Sequence, residues 1–258
     1  MKHRRNRKTR RKIELIVKTG IFVCIMIVIM TPKKPLPAHD LSTENTAENS
    51  SDNTNDTLLI PIQGLSQEGI PTGCESVSTV ALLQYLGVEI IIDEFIESFL
   101  PCKGFYRKNE TLYGPDPNEY FAGNPYEKAS LGCYPDVILK ALREMKNLGY
   151  PGMENLNFRN VSGTDLETLV THYITDEHPV LLWVTINMKE PSKGMQYYLE
   201  DGTLYTWTAQ EHCVVLCGYD ENDYYLMDPL ANGDIVNYPK ELVEKRYNEM
   251  QKNAVVVF

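Results

Sequence analysis

Residues 70–76 read IPTGCES, and they place a cysteine at the start of a predicted helix. Thr72 and Glu75 match the capping-box pattern, in which two side chains satisfy the free N–H groups of a helix N-terminus. The apolar run SVSTVALLQYL follows and stops at Gly87, a residue type favoured just past a helix C-terminus. We therefore predict a mostly buried helix that is capped by Thr72 and carries Cys74 in its first turn.

The position of Cys74 suits a reactive thiol. Free backbone N–H groups and the positive end of the helix dipole favour an anion there, and they lower the pKa of a cysteine. Gly73 leaves the sulfur sterically open. A small buried cysteine without chemistry is the commoner alternative, so a catalytic interpretation needs further residues.

A thiolate nucleophile usually works with a histidine base that a third group orients. Among the five histidines, His212 stands out because it begins the strand-like run HCVVLCGY. Alternation puts His212 on the face opposite Cys213 and Cys217, so it could face the helix that carries Cys74. The same alternation argues against a zinc site shared by His212 and these two cysteines. We expect no metal and no cofactor.

Two further polar side chains complete the predicted site. The run YDENDYYLMDP turns and returns as an antiparallel strand, which brings Asp228 back near the start of the strand of His212. Asp228 could accept the ring N–H of His212, although an aspartate before proline is also an ordinary turn residue. An oxyanion needs N–H donors, which the backbone of Cys74 and the side-chain amide of Gln67 or Gln63 could supply.

Helices are predicted early in the chain and strands late. Further helices are predicted after Asp93, over 135–148, after a second capping box at 164–167 and over 239–250. Strands are predicted over 179–186, 212–219, 223–228 and 254–258, and a surface hairpin over 189–207. This order predicts an α+β domain whose first helix packs on a mostly antiparallel sheet.

The chain divides into four segments. Residues 1–12 hold eight Lys/Arg, and residues 13–31 can span a bilayer if Lys18 reaches the cytoplasmic headgroups. This pattern predicts a transmembrane signal anchor in the cell membrane, with a cytoplasmic N-terminus and an extracellular body. A cleaved signal peptide is the alternative, although no good cleavage site follows. Residues 32–57 are typical of a disordered stalk, and residues 58–258 form the domain.

The exported part of the chain is strongly acidic. Residues 35–258 carry 34 acidic and 14 basic side chains, which argues against nucleic acid or anionic lipid as a partner of the domain. We expect a monomer that is held at the membrane by its N-terminal helix. In an oxidising compartment, Cys102 and Cys133 are the pair that could form a disulfide.

The segments QEGIPTGCESVSTVALLQYLG and EHCVVLCGYD…YYLMDPL resemble the papain-like cysteine peptidases related to the bacteriocin-leader (double-glycine) peptidases. The likeness is closest to stand-alone surface members of Gram-positive bacteria, and it covers residues 58–258. It implies a papain-like fold and peptide or protein substrates. It also implies that Cys74 is the nucleophile, His212 the base, Asp228 the orienting residue and Gln67 the oxyanion glutamine. Cleavage of a double-glycine leader is not inferred, because no transporter or ATPase segment accompanies the domain.

The sequence therefore predicts a membrane-anchored extracellular thiol peptidase that works through a Cys-His-Asp triad and an acyl-enzyme. A transglutaminase-like acyl transferase is one alternative, because the same residue order serves transfer to amines. That class commonly has an aromatic residue beside the cysteine, whereas Gly73 and Glu75 flank Cys74. A non-catalytic surface binding module of the same fold is the other alternative, although all three triad positions are filled.

Overall fold

A computed structural model describes residues 57–258 of the chain. The predicted basic tail, the transmembrane anchor and nearly all of the predicted stalk lie outside the described residues. Within residues 57–258, no helix has both the length and the apolar character needed to cross a membrane.

Most of the predicted helices and strands are present. The helices of the described part are α1 (Cys74–Tyr85), α2 (Ile92–Ser98), α3 (Pro135–Asn147), α4 (Leu166–His172) and α5 (Lys240–Glu249). The strands are β1 (Leu58–Leu59), β2 (Cys102–Lys103), β3 (Tyr106–Lys108), β4 (Thr111–Tyr113), β5 (Phe121–Ala122), β6 (Phe158–Asn160), β7 (Val180–Thr185), β8 (Ser192–Tyr198), β9 (Leu204–Ala209), β10 (Glu211–Tyr219), β11 (Asp223–Met227), β12 (Ile235–Pro239) and β13 (Ala254–Val257). The short strands β1–β6 and the edge strand β12 were not predicted.

The larger sheet has seven strands and is antiparallel at every pairing. Its order is β12-β11-β10-β7-β13-β6, and β1 adds to β10. All nine residues of β10 are buried, because strands flank it and α1 packs against it. Ser78 of α1 donates a hydrogen bond of 2.9 Å to the carbonyl of Cys213 on β10. The predicted α+β arrangement, a buried first helix on an antiparallel sheet, is confirmed.

A second sheet has the order β3-β4-β8-β9. Strands β8 and β9 are the predicted hairpin, while β4 joins β8 in parallel through the pair Tyr113 and Tyr198. A single residue, Gln210 at φ 67°, connects β9 to β10. The second sheet therefore stands next to the start of β10, and Trp207 of β9 is buried there against Tyr134 with a ring separation of 5.4 Å.

Neither predicted capping box forms. Gly73 is the N-cap of α1, which makes Cys74 the first helical residue, and no side chain caps the helix. The Thr72 hydroxyl is instead directed at carbonyls of a distant loop, among them Pro125 at 3.2 Å and Glu127 at 3.3 Å. Asp165 is the N-cap of α4, also without a side-chain bond. Tertiary partners have replaced the local ones.

The disulfide considered for Cys102 and Cys133 is not present. Cys102 is an exposed thiol on β2, whereas Cys133 is fully buried just before α3. Burial raises the pKa of the Cys133 thiol well above its ordinary value. The backbone of Cys133 serves a different purpose, because its carbonyl accepts the indole N–H of Trp183 at 2.8 Å.

Candidate active site

Cys74 lies at the very start of α1 and is 6% exposed. Its Sγ–H donates to Oε2 of the adjacent Glu75 at 3.3 Å. The backbone N–H of Cys213, at the start of β10, acts to lower the pKa of this thiol. The N-terminus of the central helix and the beginning of the central strand therefore meet at this thiol.

The sequence argument for a lowered pKa at Cys74 is wrong for the free protein. Burial raises the pKa of the Cys74 thiol well above its ordinary value, and the nearby Glu75, Glu211 and Cys213 act in the same direction. The N–H of Cys213 opposes them only in part. Position at a helix N-terminus favours a thiolate, but desolvation and two acidic neighbours prevail here. The resting side chain is a thiol.

Two buried carboxyl groups beside Cys74 are the feature that sequence analysis missed. Glu75 is fully buried, and its Oε1 accepts the backbone N–H of Cys133 at 2.5 Å. Burial raises the pKa of Glu75 to about 7. Burial and then the proximity of Glu75 raise the pKa of Glu211 well above its ordinary value. Oε1 of Glu211 is buried and accepts no hydrogen bond from any described residue.

A weak signal for this pair was present in the sequence. Glu75 and Glu211 are the acidic residues within two otherwise apolar runs, and each directly neighbours a predicted catalytic residue, Cys74 or His212. Alternation along β10 places Glu211 on the face opposite His212. Glu75 was interpreted only as a capping residue, and no local pattern links it to an acid on a distant strand.

Among the described residues, Cys74, Glu75 and Glu211 are also the one group of acidic or thiol side chains spaced to hold a cation. One ligand atom from each lies within 4.8 Å of the other two. A Cβ at Gly132 would stand 2.4 Å from Oε1 of Glu75 and 3.1 Å from Oε2 of Glu211. Glycine at 132 therefore provides the room that the two carboxyl groups occupy.

The structure brings His212 and Asp228 together. Both are buried, and His212 Nε2 lies 2.7 Å from Asp228 Oδ1. The antiparallel hairpin of β10 and β11, which pairs Val215 with Met227, carries the two residues to the same end of the sheet. Because Nε2 is engaged by the carboxylate, Nδ1 is the ring nitrogen left for other chemistry.

The position of Asp228 is fixed by its own turn. Asp228 caps the 3₁₀ turn Pro229–Ala231, where its Oδ1 also accepts the N–H of Leu230 at 2.8 Å. Burial acts to raise the pKa of Asp228. The hydrogen bond and charge of His212, with N–H groups of the turn, outweigh it and hold the pKa below its ordinary value. The side chain is thus an ionised acceptor for the His212 ring.

Gln67 lies against the same turn and is buried, whereas the side chain of Gln63 faces solvent. The backbone N–H of Gln67 donates to the carbonyl of Pro229 at 2.9 Å. Its side chain is buried, and its Oε1 has no partner among the described residues. Gln63 is exposed. Of the two predicted oxyanion donors, burial beside Asp228 favours Gln67.

No hydrogen bond joins Cys74 to His212 within residues 57–258. The sulfur instead lies within 4.8 Å of a carboxyl oxygen of Glu211, the residue that precedes His212. The face of β10 that meets the resting thiol therefore carries Glu211 and Cys213, and the prediction that His212 faces the thiol is not confirmed. Catalytic hydrogen bonds are often long or misaligned in free enzymes and tighten only with substrate.

A cavity of about 590 Å³ opens beside the loop that holds Thr72. It lies between the second sheet and the segment 123–130, and its size is within the range of ligand pockets. Its lining is mainly apolar and includes Phe105, Leu112, Ala129 and Met195, with Asn124 and Glu127 as polar members. Met195 comes from the hairpin over 189–207.

Comparison with known proteins finds three similarities. Residues 59–255 match the model of the Peptidase_C39 like family. The protein YvpB of Bacillus subtilis strain 168, whose activity is uncharacterised, is 25% identical over 187 residues, which cover 72% of this chain and 68% of YvpB. A crystal structure from Bacillus anthracis, provisionally assigned as a C39-like peptidase, superposes with a TM-score of 0.67 at 22% identity. The superposed residues cover 79% of this chain and 98% of the Bacillus anthracis chain.

Proposed function

The chain belongs to the Peptidase_C39 like family, and from this we propose that it is a thiol peptidase with Cys74 as nucleophile, His212 as base and Asp228 as orienting residue. The observation that carries the proposal is the buried His212–Asp228 pair at 2.7 Å, in which His212 of β10 comes directly after Glu211, whose carboxyl group lies within 4.8 Å of the Cys74 thiol. A histidine held by a carboxylate beside a cysteine is the arrangement that activates a thiol nucleophile.

The bond from Asp228 to Nε2 determines how His212 would act. Nδ1 is the free nitrogen, so it takes the Cys74 proton once the thiol turns from Glu75 toward the imidazole. The thiolate then attacks the carbonyl carbon of a peptide bond, and the resulting imidazolium is stabilised by Asp228. His212 next passes its proton to the leaving amine, and an acyl-enzyme remains.

Two N–H donors would stabilise the tetrahedral intermediate. One is the backbone N–H of Cys74 in the first turn of α1, and the other is the side-chain amide of Gln67, whose backbone N–H donates to Pro229. Water then attacks the acyl-enzyme with His212 as base, which releases the second product and restores the thiol. The apolar cavity beside Thr72 is the place for a substrate side chain.

We also propose that the peptidase acts outside the cell from a membrane anchor. The support is the basic segment 1–12, the apolar segment 13–31 and the polar segment 32–57. The acidic body disfavours nucleic acid. Its substrates would be peptides or proteins that reach the outer membrane face.

The test combines turnover with covalent capture on the full-length chain. A pool of peptides is incubated with the protein, and new termini are identified by mass spectrometry. We expect hydrolysis by the native chain and none by Cys74→Ala or His212→Ala. A peptide-based thiol-reactive inhibitor should modify Cys74.

The control is Glu68→Gln, which changes an exposed side chain outside the cavity and should leave turnover intact. Absence of hydrolysis, together with capture at Cys102 rather than Cys74, would refute the proposal in favour of a binding module. If products form only when an amine is added and contain that amine, the enzyme is an acyl transferase.

A further inference from the structure

We propose that Cys74, Glu75 and Glu211 form an inhibitory site for a thiophilic divalent cation such as Zn²⁺. The inhibitory consequence rests on the proposed function, because the site would engage the nucleophile itself. The binding of the cation itself is inferred only from the geometry and the chemistry of the three side chains.

The geometry of the group fits one cation. The three ligand atoms lie within 4.8 Å of one another. Zinc binds sulfur at about 2.3 Å and carboxylate oxygen at about 2.0–2.2 Å, so two ligand atoms of one tetrahedral ion are separated by roughly 3.5 Å. Sγ of Cys74 and Oε2 of Glu75 are already 3.3 Å apart, and a side-chain movement of roughly an ångström at Glu211 completes the set. Glycine at 132 leaves this space free of a side chain.

An unsatisfied group points to a ligand at this position. Glu211 is 8% exposed, and its buried Oε1 accepts no hydrogen bond from any described residue. A buried carboxyl oxygen without a partner costs free energy. Its neighbours Glu75 and Cys74 are acidic groups too, and burial raises the pKa of all three. A divalent cation would supply the missing partner and offset two of the three negative charges of the deprotonated ligands.

The donor set selects among cations. One thiolate and two carboxylates combine a soft ligand with hard ones, which suits Zn²⁺ and disfavours Mg²⁺ and Ca²⁺. Three protein ligands leave a fourth position open for water. On binding, the thiol and carboxyl protons pass to solvent and no redox change occurs. Because the bound sulfur lone pair is no longer available, Cys74 cannot attack a peptide bond.

A zinc ion bound by Cys74 and His212 is the alternative to this site, because zinc can also inhibit a thiol enzyme by bridging the cysteine and the histidine base. In this structure Nε2 of His212 is committed to Asp228, and the resting thiol is bonded to Glu75. Zinc is therefore expected to bind Cys74 together with the carboxyl groups of Glu75 and Glu211, and not with His212.

The experiment titrates ZnCl₂ into chelator-treated full-length protein by calorimetry. Co²⁺ is added in parallel to detect a thiolate-to-metal absorption band. We expect one site in the native chain and in His212→Ala, and loss of the band in Cys74→Ser. Glu211→Gln, which keeps the shape of the side chain, should weaken binding about tenfold or more. Glu68→Gln, at an exposed acid, is the matched control and should bind as the native chain does.

The result that would overturn the inference is loss of binding in His212→Ala with unchanged binding in Glu211→Gln. Unchanged zinc affinity in Cys74→Ser would overturn it as well. Peptide hydrolysis by the metal-free chain tests the proposed function separately. Zinc binding as described without peptide hydrolysis would support the metal site and refute the peptidase. Hydrolysis without zinc binding would support the peptidase alone.

Discussion

At the scale of single residues, the environment of Cys74 differs from what its helical position alone implies. A helix N-terminus stabilises a thiolate, yet burial and two carboxyl groups raise the pKa of this thiol. The Sγ–H donates to Glu75 and makes no hydrogen bond to His212. The free protein therefore rests with a protonated thiol, and the proposed catalytic role of Cys74 requires movement of this thiol toward the imidazole.

The effect of the carboxyl groups on Cys74 can be measured. Since a like charge raises the pKa of an acid, Glu211→Gln should lower the pKa of the Cys74 thiol and increase its thiolate fraction at neutral pH. We expect alkylation of Cys74 by iodoacetamide to accelerate by up to about tenfold per unit of pKa change. The rate is followed by mass spectrometry between pH 6 and 10 in the presence of a chelator. Glu68→Gln should react as the native chain, and an equal rate in Glu211→Gln would contradict the prediction.

Gln67 and Gln63 allow a matched test of the oxyanion donor. Gln67→Ala removes an amide held beside Pro229, so it should lower kcat by about 10²–10³-fold with little change in KM. Gln63→Ala removes an exposed amide and should leave both constants unchanged. The measurement is steady-state hydrolysis of one substrate by both variants. Equal losses in the two variants, or a loss in KM alone, would exclude the assigned role.

At the scale of elements, the site is formed where three chain segments meet. Strand β10 carries His212, the turn after β11 carries Asp228, and the segment before α1 carries Gln67. Gly64 and Gly233 let this segment and this turn approach closely, because a Cβ at Gly64 would stand 1.7 Å from the carbonyl oxygen of Gly233.

This close approach predicts a specific defect. Gly64→Ala should destabilise the protein by about 1–3 kcal/mol, because the added methyl group must displace backbone. It should also lower turnover beyond the loss of folded protein, since the turn of Asp228 must shift. Urea unfolding and activity per folded molecule are measured together. Gly104→Ala is the control, because its Cβ would have no neighbour within 4 Å. Equal stabilities for the two variants would refute the prediction.

The helices show where local rules succeed and fail. The bounds of α1 and α3 follow the predicted pattern, with Pro135 in the first turn of α3 and glycines of positive φ at 87 and 149 after the two C-termini. These signals depend on backbone conformation alone. The capping boxes depend on side-chain hydrogen bonds, for which a folded protein offers competing partners. Thr72 bonds to a distant loop for that reason.

At the scale of the whole molecule, the second sheet completes the surroundings of the site. Its strands come from two distant parts of the chain, and the parallel pairing of β4 with β8 joins them. It delivers Trp207 and Met195 to the two sides of the region around Thr72 and Gly132. The strands β3 and β4 have three residues each, which is too short for a periodic pattern to be recognised.

The membrane anchor is a whole-molecule prediction that lies outside the described residues. Val23→Arg together with Ile27→Arg should release the chain from the membrane fraction, since each charge costs about 2.5–3.5 kcal/mol at the centre of a spanning helix. The matched control is Thr43→Arg with Asn45→Arg in the polar segment, which should remain membrane-bound. Fractionation of expressing cells with immunodetection gives the answer. A native chain found wholly in the medium would indicate cleavage instead.

The sequence by itself determined the α+β class, the main elements, the family resemblance and the candidate residues Cys74, His212 and Asp228. These depend on periodicity, on hairpin geometry and on short motifs, all of which are written in neighbouring residues. It left Gln67 and Gln63 as alternatives, and it permitted a disulfide that the structure does not contain.

Only the tertiary structure decided the chemical environment of Cys74. The burial of Gln67, the contact of Glu75 with Glu211 and the raised pKa of Cys74 arise from packing between α1, β10 and the segment at Gly132. Desolvation and charge proximity depend on distances between residues far apart in the chain. A linear pattern identifies which groups can react, whereas three-dimensional packing determines their protonation and their partners.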